Sequence, residues 1–247
     1  TSASTDAARQ VGAGMTGIGG LIGVVATSGV VIEKVRGSGV TIEGARYLGG
    51  LIGAVSLSST AAAKISDVQL DNVSLTITGA FGGQASEVGG LAGALSYTTV
   101  QKTGVSNLTV RTKNNGNLAN GFVGGLAGSA YFSDIDQSFA HGSIDINNYT
   151  TIVSHPGATG SVGGLVGLVF GGSVSNSYAL TDVTVDNSQS FRAGIGGLIG
   201  RAEHTSSTSA SITNSYSAGK VSAGNLSGTN LNYIGGAIGT IQTSTTY

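Results

Sequence analysis

Two carboxylates separated by one residue form the best candidate acidic group of this 247-residue chain. Asp134 and Asp136 lie in an extended segment, where residues i and i+2 share one side, and Asp145 follows in the next apolar segment. Paired carboxylates can serve glycoside hydrolysis, hold Ca²⁺ weakly, or simply carry surface charge. Because no basic residue lies nearby in sequence to complete a catalytic site, we expect surface charge and keep Ca²⁺ binding and catalysis as alternatives.

The three histidines do not form a recognisable metal-binding pattern. His141, His155 and His204 fall at unrelated places in the chain, no HExxH segment occurs, and cysteine ligands are absent. We therefore expect no metal site, and we assign no catalytic or cofactor-binding residue.

Glycine-rich stretches invite a nucleotide-binding interpretation, which the details do not support. Gly17-x-Gly19-x-x-x-Gly23 misses the dinucleotide fingerprint by one residue, and no Gly-Lys-Ser or Gly-Lys-Thr follows any glycine cluster. The net charge is −1 without a cluster of Lys or Arg, so nucleic acid is not an expected partner. No apolar run has the length of a membrane span, so we expect no membrane insertion by this segment.

One glycine-rich segment recurs along the whole chain, which argues for a structural role. Near copies of Tyr-Leu-Gly-Gly-Leu-Ile-Gly are spaced by 30 to 40 residues, counted between the second glycines of each pair. Those glycines are Gly20, Gly50, Gly90, Gly125, Gly164, Gly197 and Gly236. A period of this size indicates a repeat architecture of about seven units, the last of them truncated.

The composition of each unit favours strands over helices. After every glycine-rich segment come two short apolar segments with β-branched residues in alternation, as in Val183-Thr-Val185, and no sustained helical period appears. Three strands in so short a unit can bury their apolar faces only by stacking on the next unit. We therefore predict an all-β, repetitive parallel β-solenoid. A propeller is the rival fold, but it usually has four strands per blade and aromatic signatures.

The spacing after the glycines divides the units into two subtypes. Units four to six follow one rule, illustrated by Ile135-x3-Phe139-x4-Ile144. The first three contain Ile32-x2-Val35, Ile65-x2-Val68 and Val105-x2-Leu108, which we align with one another. We also expect Thr41, Asp145, Thr184 and Ser222 to form one outward column of the third strand, with Ser74 or Thr76 from unit two.

Glycine columns in stacked units permit close backbone approach and tight corners, and we expect both. If the glycine-rich segment from Tyr47 to Gly53 is treated as one straight strand, Leu48 and Ile52 lie on one face and Leu51 lies on the other. The second face then carries an apolar column of Leu21, Leu51, Leu91, Leu126, Leu165 and Leu198, ending in Ala237. Such a stripe needs a cover, either another layer of the same chain or a partner protein. We expect recognition to reside in the polar loops 147–160 and 224–232.

The later units resemble the GLUG motif, a repeat of bacterial surface and secreted proteins that include adhesins and some IgA-specific metallopeptidases. The resemblance is carried by Val162-Gly-Gly-Leu-Val-Gly167 with Asn176-Ser-Tyr178, and by Ile195-Gly-Gly-Leu-Ile-Gly200 with Asn214-Ser-Tyr216. Unit four is close, with Gln137-Ser-Phe139, whereas the first three units lack the Asn-Ser-Tyr element. The family is defined by its repeat and implies no catalytic residue.

The resemblance implies a non-catalytic structural or adhesive segment of a bacterial cell-surface or secreted protein, hence an extracellular location. Its expected partners are a protein or glycan at a surface, or its own chain in an assembly. The alternatives are a glycan-active β-solenoid enzyme and the accessory region of a secreted peptidase. We expect residues 1–247 to form a single repeat domain that is a fragment of a larger protein, because the seventh copy stops without the strands that follow the others.

Overall fold

The fold is a stack of parallel strands, seen here in a computed structural model. It describes residues 17–58, 62–79, 86–113, 118–119, 121–147, 149–150, 160–186, 193–204, 208–224 and 233–243. The described residues form strands and turns, with no helix among them. Every strand pair in these ranges is parallel, which confirms the predicted parallel β-solenoid.

Three long sheets run along the stack. The first sheet has seven short strands, Gly17–Gly19, Tyr47–Gly49, Glu87–Gly89, Phe122–Gly124, Gly160–Gly163, Ala193–Gly196 and Tyr233–Gly235. The second sheet has 11 strands, Ile22–Val25, Val31–Glu33, Ile52–Val55, Ala63–Ser66, Ala92–Ser96, Thr98–Gln101, Ala127–Asp136, Val166–Ser175, Ile199–His204, Ala210–Thr213 and Ile238–Thr243.

The third sheet and one small sheet complete the described architecture. The third sheet has seven strands, Arg36–Gly44, Gln69–Ile77, Gly104–Thr112, Phe139–Asn147, Tyr178–Asp186, Tyr216–Ser217 and Val221–Gly224. Leu118–Ala119 and Tyr149–Thr150 form the small sheet. We call one passage through the first, second and third sheets a coil, and number the coils 1 to 7 from the N-terminus by their first-sheet strands.

The glycine-rich segment is a strand, a corner and a second strand rather than one straight strand. In coil 2, Tyr47–Gly49 belongs to the first sheet and Ile52–Val55 to the second, and the chain folds back between them. A Cβ placed on Gly49 would lie 1.9 Å from the carbonyl oxygen of Ile52 and 2.7 Å from the Cα of Ala92. No side chain fits between the two backbones at this point, so glycine is required where they touch. Both expected roles of the glycines, close approach and corner, are therefore present.

The bend also corrects the assignment of two separate apolar faces to this segment. Leu48, Leu51 and Ile52 are all buried in one core, with exposed fractions of 0%, 3% and 0%. The leucine column is buried in coils 2 to 6, and of its two ends Leu21 is 63% exposed and Ala237 is exposed. The chain itself thus covers the stripe, because the corner turns Leu51 inward instead of leaving it on a second face.

The register of the third sheet corrects the alignment of the first three units. Ile65 pairs with Val100, whereas Val105 pairs with Leu70 and Ala140 in the third sheet. The Val105-x2-Leu108 spacing is therefore not equivalent to Ile65-x2-Val68. The two subtypes differ inside the third strand, where coil 3 has one more residue than coil 4 and the register shifts between Val105 and Leu108. In each of coils 1 to 3 the added residue has a positive φ. These residues are Gly39 at 71°, Asn72 at 54° and Asn107 at 48°.

The corner between the second and third sheets explains the Asn-Ser-Tyr element. In each of coils 1 to 6 one residue there adopts left-handed backbone geometry, with φ between 48° and 56°: Lys34, Asp67, Lys102, Gln137, Asn176 and Asn214. Asparagine is among the non-glycine residues that adopt this geometry most readily. In coils 3 to 5 the next residue, Thr103, Ser138 or Ser177, is buried and carries a hydroxyl.

These hydroxyls link successive coils. The backbone N–H of Ser138 donates to Ser177 Oγ at 3.0 Å, and Ser177 Oγ donates to the carbonyl of Ser175 at 2.6 Å. Thr103 and Ser138 repeat the first of these bonds at 3.2 Å. The aromatic residue that follows stacks outside, with ring centroids of Phe139 and Tyr178 5.2 Å apart. Each member of the element therefore has a separate role: corner, link between coils, and outer stack.

We predict that alanine in place of a glycine at the corner between the first and second sheets destabilises the fold in every coil where that glycine contacts the next coil. A Cβ on Gly90 would lie 2.3 Å from the carbonyl oxygen of Gly125, so Gly90→Ala should lower the free energy of unfolding by about 3 kcal/mol. A Cβ on Gly236 meets no heavy atom within 4 Å, so Gly236→Ala is the matched control, with an expected change of about 0.5 kcal/mol or less. Urea unfolding followed by circular dichroism measures both. Equal stability of the two variants would contradict the backbone contact.

Candidate functional site

The acidic pair Asp134 and Asp136 lies on the outward face of the second sheet, where residues of neighbouring coils donate hydrogen bonds to it. Asp136 accepts hydrogen bonds from Asn176 Nδ2 and Ser175 Oγ, both at 2.8 Å, and from Gln101 Nε2 at 3.3 Å. The bond from Asn176, then that from Ser175, lowers the pKa of the Asp136 carboxyl. Asp134 accepts from Ser173 Oγ at 2.6 Å. Asp136 is therefore held as a carboxylate, which is the wrong state for a general acid.

Asp145 does not join that pair, because it lies on the third sheet, in register with Arg111 and Thr184. Within the described residues, no three His, Asp or Glu side chains come together as a metal site would need. His141 lies exposed on the third sheet, and His204 ends the coil-6 strand of the second sheet. His155 lies outside the described residues, as do most of the loops 147–160 and 224–232.

The prediction that Thr41 and Asp145 share one outward column of the third sheet is wrong. Thr41 pairs with Ser74, and Ser74 with Thr109, whereas Asp145 follows the separate column of Thr76 and Arg111. Thr41 and Asp145 therefore belong to different columns: the coil-1 member of the Asp145 column is Glu43, two residues after Thr41. Arg111 and Asp145 interrupt the second column with charge, so it is not a uniform threonine array.

The sequence did not indicate the group of ionisable residues that lies between the first and second sheets. We call it the interlayer cluster, and define it as Arg46, Tyr47, Glu87, Ser129, Tyr131, Arg201 and Glu203. Tyr47 and Glu87 begin first-sheet strands in adjacent coils. Arg46 directly precedes Tyr47. The remaining four come from two columns of the second sheet: Ser129, Leu168 and Arg201 share one, and Tyr131, Phe170 and Glu203 share the next.

Glu87 is one of two buried carboxyl groups in this cluster, the other being Glu203. The residue is 7% exposed and hydrogen-bonded to Ser129 Oγ of the following coil. Burial raises the pKa of Glu87 to about 7, although the Ser129 hydrogen bond and the charge of Arg46 both act to lower it. Desolvation is the dominant cause because the charged carboxylate loses more hydration than these two neighbours replace.

Two tyrosines of the cluster are kept neutral for the same physical reason. Burial is the largest cause that raises the pKa of Tyr131, followed by the negative charge of Glu87. The pKa of Tyr47 is raised by burial and by Glu87, against the charge of Arg46, whose guanidinium lies 4.9 Å from the Tyr47 ring centroid. Both phenols therefore remain protonated at neutral pH.

Arg201 and Glu203 form a buried ion pair on the inward side of the coil-6 strand. Their side chains are each only 6% exposed, and Arg201 also lies over the Phe122 ring at 5.7 Å from its centroid. In coil 5 the same two positions hold Leu168 and Phe170. The gap between the sheets thus accommodates either an apolar pair or an ion pair. Its charged groups are directed at one another and at aromatic rings, which suits cohesion between coils.

The charged residues of the cluster were missed because Arg46, Glu87 and the Arg201–Glu203 pair lie more than 40 residues from one another. The positions of Glu87, Arg201 and Glu203 are also filled by Phe, Ser or Leu in other coils. One signal was available. Glu87 stands directly before Val-Gly-Gly, and Arg201-x-Glu203 interrupts an otherwise apolar alternation after Gly200. Only the fold-back at the glycine corner shows that both segments face the same gap.

The comparisons with known proteins support the repeat. A family model described as the GLUG motif matches residues 158–184 and 192–222. These segments contain the glycine corner and the Asn-Ser-Tyr corner of coil 5, and the same two corners of coil 6. No curated protein and no solved structure matches the chain significantly. Among the described residues, no helix is long and apolar enough to span a membrane.

Variants of the Arg201–Glu203 ion pair test whether an apolar pair can replace it between the first and second sheets. Glu203→Gln leaves the Arg201 charge buried without its carboxylate, so it should lower the free energy of unfolding by about 3 kcal/mol or more. The double variant Arg201→Leu, Glu203→Phe copies the apolar pair of coil 5 and should be at least as stable as the parent. Thermal and urea unfolding compare the three proteins. A double variant less stable than Glu203→Gln would refute the equivalence of the two coils.

Proposed function

We propose that this chain is a non-catalytic structural and adhesive segment of a bacterial cell-surface or secreted protein, located outside the cell. The observation that supports it most directly is the continuous core. Ile42, Leu75, Val110, Ile144 and Val183 succeed one another in register and are all buried. Because each coil contacts chiefly its neighbours, such a stack can be lengthened coil by coil, which is what a stalk requires.

The outward faces support an adhesive role alongside the structural one. Their exposed residues differ between coils at equivalent positions, as in Arg111, Asp145 and Thr184 of one column. A constant core therefore carries a variable polar surface, and surface residues can change without disturbing the stack. The partner we propose is a protein or glycan at a surface, or another copy of the chain.

The glycan-active enzyme is the less favoured proposal. A glycosidase needs one carboxyl group with a raised pKa as general acid, whereas hydrogen bonds lower the pKa of Asp136. The raised pKa belongs to Glu87, which is buried between two sheets with little access for a polysaccharide. The accessory region of a secreted peptidase is compatible with the same stalk-like architecture.

Adhesion can be measured with beads that carry the purified segment, passed in flow over mucin-coated and fibronectin-coated glass. We expect retention on at least one of these surfaces, and we expect the same segment in free solution to abolish it by competition. Beads blocked with albumin are the control. Absence of retention by a folded segment on both surfaces would contradict the adhesive part of the proposal.

The enzymatic alternative has a separate readout. The segment is incubated with xylan, pectin, chitin and peptidoglycan, and released reducing ends are measured for the parent and for the double variant Asp134→Asn, Asp136→Asn. We expect no release above buffer from either protein. Release that the parent shows and the variant lacks would establish the enzyme and overturn the non-catalytic assignment.

A further inference from the structure

The first and second sheets pack closely around the buried side chain of Glu87. A Cβ on Gly93 would lie 2.6 Å from the carbonyl oxygen of Glu87, and a Cβ on Gly128 would lie 2.4 Å from the amide nitrogen of Val88. The backbones of coils 2 to 4 are therefore in direct contact beside this side chain. A carboxylate formed there cannot be hydrated unless the strand Glu87–Gly89 moves away from the second sheet.

We propose that Glu87 is a proton-controlled latch between the first and second sheets. Its neutral carboxyl group and the Ser129 hydroxyl hold coil 3 against coil 4, and loss of the proton favours separation of the strand Glu87–Gly89. The latch goes beyond a stalk or adhesive role, because it makes the cohesion of the stack respond to the acidity of the surroundings.

The other ionisable groups that face Glu87 do not remove this response. Arg46 and Tyr47 approach from coil 2 and Tyr131 from coil 4, and the Arg201–Glu203 pair of coil 6 acts on Tyr131. Arg46 favours the carboxylate, but burial outweighs it. Tyr47 and Tyr131 stay neutral because their pKa values are raised, and Arg201 and Glu203 compensate each other's charge.

The direction of the response follows from the two pKa values of Glu87. The pKa is about 7 in the closed structure and 4.5 when the group is exposed, so the closed form binds the proton more tightly. Cohesion is therefore complete below pH 4.5 and is lost as the pH rises to about 7. The equilibrium constant for separation of the strand Glu87–Gly89 from the second sheet should rise tenfold per pH unit inside this window, about 300-fold in all. It should stay constant above the window.

Hydrogen–deuterium exchange tests the latch when protection factors, corrected for intrinsic exchange, are measured between pH 4.5 and 8. Peptides that cover 87–95 and 122–133 should lose protection by about two orders of magnitude between pH 4.5 and 7. A peptide that covers the third-sheet strand Gln69–Ile77 is the internal reference. Glu87→Gln, which cannot ionise, should abolish the loss, whereas Glu33→Gln at an exposed glutamate should keep it.

Ser129→Ala refines the test. The Ser129 hydrogen bond lowers the pKa of Glu87, so its removal should extend the loss of protection to higher pH. Should Glu87→Gln not fold, ¹³C NMR titration of the Glu87 carboxyl in the parent protein supplies the same information. Protection that is constant over this pH range, an identical loss in Glu87→Gln, or a carboxyl that titrates near 4.5 would each overturn the latch.

Discussion

The backbone contact between the first and second sheets is the constraint on which the rest of the structure depends. Where Gly49 faces the carbonyl of Ile52, a single methyl group would overlap the opposite strand, so the two backbones touch there without a side chain between them. This contact requires a fold-back within two residues, and the fold-back turns Leu51 into the core. Stacking adds a second requirement in coils 1 to 6, because the second glycine of each pair, such as Gly50, lies on the carbonyl of its equivalent in the next coil. The glycines thus serve packing as well as turning.

The corner between the second and third sheets is stabilised differently, by hydrogen bonds. A left-handed residue such as Asn176 costs about 1 kcal/mol or more of backbone energy unless its side chain suits that geometry. The following hydroxyl offsets this cost, because Ser177 satisfies a buried N–H of the previous coil and donates to its own chain. Coils 1 and 2 place Val35 and Val68 after the corner instead. The corner geometry persists in them without the hydroxyl link, so the backbone turn is the constant feature and the Asn-Ser-Tyr element is a reinforcement of it.

The interlayer cluster is the place where this regular stack carries chemistry of its own. Desolvation makes buried charge expensive, and coil 5 shows that Leu168 and Phe170 can occupy the same gap as Arg201 and Glu203. Ionisable residues are therefore not required for packing there. Their presence makes cohesion between coils depend on protonation at Glu87 and on pairing at Arg201. The outward pair Asp134 and Asp136 is the opposite case, since hydrogen bonds from neighbouring coils hold Asp136 as an ordinary surface carboxylate.

The sequence by itself determined the all-β class, the seven glycine-rich units and their parallel stacking, because the period and the glycine pairs recur in it directly. It also predicted close approach at the glycines. It did not determine the bend inside Tyr47–Val55, which decides that Leu48 and Leu51 face one core, because strand alternation assumes a straight chain. The register of Val105 likewise depended on a one-residue irregularity opposite Gly142 that spacing alone cannot locate. Tertiary structure alone decided the interlayer cluster: Glu87 and Ser129 are 42 residues apart and meet only because the sheets fold back on each other, and the burial that raises the pKa of Glu87 is a property of that contact.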